Sequence, residues 1–401
     1  MKHWLATPAT VFLLGLSSAV CAQQRLTGKV VDAASGQPVP YASIGVLGTT
    51  RGTTSNAEGE FELREVVLPG RLVVSELGHR RDTVAVAAAG ASQPLQIRLV
   101  PASVQLPEVQ VGSYAAELVA QAYRELHRTN AQKTYSQAFY RQITRVEGEV
   151  TEVQEMVWHA QTSNARIEGT ALTQARFAKK KALLSFKDLS TFPRRITFFD
   201  PAVDSLTDKS IISPHATDVY RLSVLGVTQD GPAQLIEIGF VNKDPAGRVP
   251  RASVVINDVT HQILRLRLET TALNIITNNP AFKLKDQLTR LEWIFRPRPG
   301  QAAVLEQLRV NYAGTIDRLM KGDIPLTASS FIYFYEGQST PRAGVTYAPP
   351  QLNTSDLAAI KKTTYDPAFW QANAVVKRTP LEDEAMRAFE QKGAFGTMLT
   401  P

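Results

Sequence analysis

Of 401 residues only one is a cysteine, Cys21, and it sits in the short apolar leader that opens the chain. Loss of residues 1–22 leaves a chain that makes no disulfide and no thiolate metal site, so its stability rests on its apolar core. Histidine is scarce too: His3, His79, His127, His159, His215 and His261 are the only six. None belongs to a His-Glu-x-x-His run, and their mutual spacings lack the short pairing that closes two imidazoles on one zinc ion. There is no Gly-x-Ser-x-Gly elbow, no phosphate loop and no Gly-x-Gly-x-x-Gly fingerprint. These absences predict no catalytic residue, no metal and no cofactor. A glycosidase-like carboxylate pair leaves no local spacing to search for, so a hydrolase without a motif stays open as one reading. After the leader, no run is both long and apolar enough to cross a bilayer as a helix. The sustained alternating segments with aromatic girdles that mark an outer-membrane barrel are missing as well.

What is present begins with that leader. Lys2 precedes Val11, Phe12, Leu13, Leu14, Gly15 and Leu16, and Val20-Cys21-Ala22 offers a cleavage point before Gln23. This layout predicts a secretory signal peptide over residues 1–22. Thr7, Pro8, Thr10, Ser17 and Ser18 interrupt a run already too short for an anchor. Val20 stands where a lipid-attachment signal places a small residue, which argues against lipidation of Cys21. The expected location is therefore outside the cytoplasm, in the periplasm or at the outer membrane, and nucleic acid is not an expected partner. A composition of 44% hydrophobic and 20% charged residues is that of a globular protein, and the length suits two or three domains.

Residues 23–100 have a distinct rhythm. Short runs such as Lys29-Val30-Val31, Tyr41–Leu47 and Glu60–Leu63 are cut by Asp32–Gly36, Pro38, Pro40, Gly48, Gly52 and Asn56–Gly59. Asp, Asn, Pro and Gly supply the turn angles, and the alternation in Glu60-Phe61-Glu62-Leu63 buries Phe61 and Leu63 on one face. Further strands are predicted at Leu72–Ser75, Asp82–Val86 and Leu95–Val100. Gly28–Asp32, Gly36-Gln37-Pro38, Ala42-Ser43-Ile44, Gly48–Thr54 and Glu58-Gly59-Glu60-Phe61 together resemble the carboxypeptidase regulatory-like domain. The resemblance implies a transthyretin-like, seven-stranded β-sandwich of the kind that heads envelope proteins of the Bacteroidetes. It implies an accessory module and not a peptidase.

Pro101 to Gly112 mixes prolines with extended-favouring residues, which predicts a stiff linker over residues 101–113. Ser113 then caps a helix from Tyr114 to His127, with Leu118, Val119, Ala122, Tyr123 and Leu126 on one stripe. The remainder, residues 114–401, reads as an α+β domain built on a larger antiparallel sheet with covering helices, so the whole chain is mostly β. Leu264, Leu266 and Leu268 alternate with Arg265, Arg267 and Glu269, and Asn257–Thr260 join that strand to Val254–Ile256 as a hairpin. Residues 135–158 fit strand or helix. Near the end, Asp366-Pro367 caps a helix through Trp370, and Thr379-x-x-Glu382 forms a capping box ahead of Leu381, Ala385, Ala388 and Phe389. Phe139-Tyr140-Arg141, Phe199-Asp200-Pro201 and Tyr365–Trp370 are similar to features of uncharacterised envelope proteins that carry the same N-terminal module, a resemblance that implies an architecture and no activity.

Between residues 160 and 199 eight Lys and Arg face only Glu168 and Asp188. Arg176, Lys179, Lys180, Lys181, Lys187, Arg194 and Arg195 of this stretch are the candidate surface for an anionic lipid or glycan, since like charges within a Debye length sum their fields. The reading favoured by the residues is a non-enzymatic envelope protein whose sandwich is an adaptor and whose sheet binds a protein partner, lipid or glycan. The alternatives are a periplasmic lipid carrier, with Leu264, Leu266, Leu268 and Phe295 lining an acyl cavity, and the motif-free hydrolase.

Overall fold

The computed structural model describes residues 24–87, 93–102, 104–105, 112–180, 186, 189–203, 210–271, 282–298, 300–318, 322–351, 356–372 and 375–397. The expected signal peptide with Cys21, most of the linker, Lys181 and Lys187 lie outside the described residues.

The first body is a sandwich of seven strands: β1 (Gln24–Asp32), β2 (Ser43–Val46), β3 (Gly52–Thr54), β4 (Glu60–Val66), β5 (Gly70–Ser75), β6 (Asp82–Val86) and β7 (Leu95–Leu99). One sheet runs β4-β1-β7 and the other β3-β2-β5-β6. Leu26, Val30, Ile44, Phe61, Leu63, Leu72, Val74 and Ile97 fill the space between them, with Phe61 and Leu63 on one face as their alternation requires. A Cβ at Gly28 of β1 would stand 2.6 Å from the Phe61 ring and 2.5 Å from the Leu95 carbonyl. The glycine is what lets Phe61 lie flat across the centre of its sheet.

Beyond it come β8 (Val104–Gln105), α1 (Gly112–Thr129), β9 (Thr134–Val146), β10 (Glu149–Thr162), β11 (Ile167–Lys179), α2 (Thr191–Arg195), α3 (Ala216–Val219), β12 (Tyr220–Asp230), β13 (Ala233–Asn242), β14 (Arg251–Asn257) and β15 (Ile263–Thr270). The chain ends through β16 (Phe282–Arg296), β17 (Val304–Arg318), β18 (Gly322–Gln338), α4 (Asp356–Lys361), α5 (Pro367–Ala372), α6 (Pro380–Gln391) and α7 (Ala394–Thr397). Among the described residues eleven strands form one antiparallel sheet in the order β11-β10-β9-β18-β17-β16-β15-β14-β13-β12-β8. Residues 135–158, ambiguous in the sequence, are a hairpin turning at Glu147 and Gly148, both with positive φ.

Both faces of this sheet are covered. On one face Leu118, Val119, Ala122, Tyr123 and Leu126 of α1 pack with Tyr140, Met156, Trp158, Phe198, Phe199 and Trp293. On the other, Met386, Phe389 and Phe395 cover Ile143 and Val153, and Trp370 with Val376 covers Phe139 and Val157. Two covered faces leave β9 and β10 without an apolar-polar alternation, which is why their period was illegible. Two expectations change. Leu266 and Leu268 join the α1 face, but a register shift between Val255 and Ile256 turns Leu264 to the opposite face, against Leu77 of the sandwich. In α6, Leu381 is half exposed and Met386 with Phe389 makes the buried contact. The capping box and the Asp366 cap are present.

Candidate functional site

The basic stretch divides. Arg176 lies between Ala175 and Phe177 on β11, so pleating sends it to the face opposite theirs, toward the C-terminal helices. There its Nε donates to Glu155 Oε2 at 2.6 Å, its Nη1 meets Glu390 at 3.3 Å, and its guanidinium lies 4.4 Å from the Trp370 ring centre. Arg194 belongs to the α1 face, over Trp158, donating to Ser190 and to Asp356 at 2.7 Å. The expectation of one basic surface is corrected for these two: each is buried against a carboxylate, from opposite sides of the sheet. Lys179 and Lys180 are half-buried, Lys180 with Glu149 at 3.8 Å, and Arg195 is exposed. These three sit at the surface.

What the structure brings together is a seam between the sandwich and the sheet, built by residues more than 200 positions apart. Ser43 donates to Glu306 at 2.8 Å, Gln307 to the Tyr41 carbonyl at 3.2 Å, and Thr53 to the Val375 carbonyl at 2.8 Å. Tyr41 stacks on Phe331 at 5.6 Å and carries the Arg309 guanidinium 4.2 Å from its ring centre. Along this seam opens a cleft of about 490 Å³, bounded by the β2–β3 hairpin, the corner after β5 and strands β16 to β18. Its sheet wall carries Tyr333 and Tyr335, near-parallel at 6.0 Å, flanked by Glu306, Glu336 and Arg296. Burial pushes both phenols well above their usual range, so they are neutral.

The cleft also holds the arrangement most suggestive of chemistry. His79 has Glu76 at 2.7 Å from Nδ1 and Asp32 at 2.9 Å from Nε2. A general base must keep one ring nitrogen for its nucleophile, and here carboxylates take both. Asp32 is itself held down to about 2, chiefly by hydrogen bonds from the Ser35 amide and hydroxyl and also by His79. The trio ties the turn after β1 to the corner after β5. Among the described residues no group of three or more His, Cys, Asp or Glu side chains is placed to hold a metal ion.

Sequence reasoning missed Tyr41, Tyr333 and Tyr335. A signal existed in Phe331-Ile332-Tyr333-Phe334-Tyr335: five large apolar or aromatic residues in succession mean a strand covered on both faces. That pattern announces a second body lying on the sheet.

Fold and seam define a class of protein, a regulatory-type β-sandwich seated on a large helix-backed antiparallel sheet. Residues 26–111 match the model of the CarboxypepD_reg-like domain, which places the sandwich in agreement with its turn and strand landmarks. No curated protein matches the chain. Among solved structures, a putative outer membrane lipoprotein-sorting protein domain from Vibrio parahaemolyticus is similar at 10% identity, over 59% of this chain and 95% of its own, with a TM-score of 0.30. A LolA superfamily protein, NE2245 from Nitrosomonas europaea, is similar at 10% identity over 56% and 93%, with a TM-score of 0.24. The MucA/MucB complex of Pseudomonas aeruginosa is similar at 11% identity over 54% and 93%, with a TM-score of 0.18. Among the described residues no helix is long and apolar enough to cross a membrane.

Proposed function

We propose that this protein is a non-enzymatic binding protein of the cell envelope, exported to the periplasm or outer membrane, whose sandwich and sheet together hold a glycan in the seam cleft. Tyr335 carries the reading. Half-buried at the cleft wall beside the buried Tyr333, its neutral ring offers an apolar face to the C–H face of a sugar, while Glu306, Glu336 and Arg296 beside it supply acceptors and donors for hydroxyl groups. The doubly engaged His79 supports binding without turnover. Calorimetric titration of the mature chain with soluble envelope glycan fragments tests this, with Tyr335→Ala expected to weaken binding about tenfold through loss of one aromatic face. No heat with any fragment, or an undiminished response in the variant, sinks the glycan reading.

A second reading, a periplasmic lipid carrier, draws on the opposite face. There a large apolar cluster is closed by α1 and three helices of four to six residues. Leu266, Leu268 and Phe295 are 0%, 4% and 2% exposed, so they are closely packed and an acyl chain enters among them only if the short helices move. Native mass spectrometry after incubation with phospholipid vesicles separates the two: a retained lipid with Tyr335→Ala as competent as wild type assigns the ligand to the helix face.

A further inference from the structure

A smaller chamber of about 170 Å³ lies where β1 and β4 of the sandwich, β9 to β11 of the sheet and the segment before α6 converge. Its volume is far above the ~10–15 Å³ that admits a single water. Six cationic side chains line it, Arg25, Arg64, Arg141, Arg176, Lys377 and Arg378, against three carboxylates, Glu62, Glu155 and Asp383. Further carboxylates reach the cluster from outside: Glu60 pairs with Lys377 at 2.8 Å, Glu390 with Arg176 at 3.3 Å, and Glu382 stands 3.7 Å from Arg141. With these the cluster balances at six cations to six carboxylates, but Glu60, Glu382 and Glu390 stand outside the lining, so the cations outnumber the carboxylates only at the chamber wall itself.

The donors are also preorganised and incompletely used. Arg176 is clamped between Trp370 and Phe395, at 4.4 and 4.9 Å from their ring centres. Arg141 donates its Nε to Glu155 at 2.7 Å and an Nη to the Val376 carbonyl at 3.1 Å. Arg378 gives its Nε to Asp383 at 2.6 Å, and its two terminal nitrogens find no acceptor among the described residues. Purely structural ion clusters close their donors onto acceptors, whereas this one leaves a guanidinium fork at the wall of a cavity.

We propose that this chamber binds a compact oxyanion of the phosphate-ester class, gripped by the Arg378 fork and Lys377. The site is separate from the seam cleft and does not depend on the glycan reading. Its chemistry is shared by a phospholipid headgroup and a soluble phosphoester. The mature chain is titrated calorimetrically with inorganic phosphate at constant ionic strength, and its thermal midpoint is compared in phosphate and chloride. Binding and a phosphate-specific rise in midpoint are expected, with Arg378→Gln about tenfold weaker, the loss of one charge-assisted bidentate contact. Lys377→Gln, more exposed and less exacting for folding, is the second variant, and circular dichroism checks both folds. Retention on phosphatidic acid vesicles but not phosphatidylcholine vesicles assigns a lipid headgroup, and binding of glucose phosphate without vesicle retention assigns a soluble ester. No phosphate response in the wild type, or an equal response in a folded Lys377→Gln chain, overturns the proposal and leaves the cluster as glue between the two bodies.

Discussion

Glu155 is a buried carboxylate answering to several cations at once. Burial alone raises its pKa, but Arg176, then Arg141 and Arg378, outweigh that and hold it down to about 2. A carboxyl depressed in the folded state stabilises the fold at any pH above its unfolded value near 4.5, and that stability fades as pH falls from there through 2. The linked loss is on the order of 3 kcal/mol, from 1.36 kcal/mol per unit. Urea midpoints measured at pH 7, 4 and 3 are expected to fall steeply over that range. Glu155→Gln is expected to cost about 3–5 kcal/mol at pH 7 because two arginines stay buried with one partner fewer, and to flatten the acid dependence. An acid slope unchanged in the variant would place the titration elsewhere.

Elements were legible where their signals are local. The Thr379 hydroxyl accepts from the Glu382 amide at 3.3 Å and the Glu382 carboxylate from the Thr379 amide at 3.0 Å, a reciprocal pair that four sequence positions encode. Thr379→Ala is expected to cost about 1 kcal/mol, read as a lowered urea midpoint with unchanged slope. A loss several times larger would mean that α6 anchors the seam through this residue as well. The sandwich strands were equally legible, since Gly59, with φ of 75°, and Asn56, which accepts from the Glu58 and Glu60 amides, write their turn into the sequence. The orientation of α6 was not. Its side chosen for burial depends on where Ile143 and Val153 lie beneath it, and those belong to strands over 200 residues away. The bulge that turns Leu264 toward the sandwich is hidden for the same reason, because alternation reads a strand as regular until its partner's register is known.

At the scale of the whole molecule, the decisive event is the seating of one body on the other, and no local pattern carries it. The seam's hydrogen bonds join residues 41–56 to residues 306–378, so neither half of the candidate site exists in a contiguous stretch. The basic run near residue 180 was conspicuous because it was contiguous, yet the fold sends Arg176 and Arg194 to opposite faces. The seam's hub is Tyr41, which holds φ at 59°, a left-handed backbone that a bulky residue adopts only under external constraint. Its ring is fixed between Phe331 and Arg309. Relieving that backbone gains about 1 kcal/mol, while removing the stack, the cation contact and the half-buried ring loses about 2–4 kcal/mol, so docking wins. Calorimetry of the mature protein is therefore expected to give one endotherm for both bodies. Tyr41→Gly, which frees the backbone and deletes the ring together, is expected to split it, the sandwich melting apart from the sheet. A single endotherm at an undiminished midpoint in that variant would show that the remaining seam hydrogen bonds seat the sandwich without its aromatic hub.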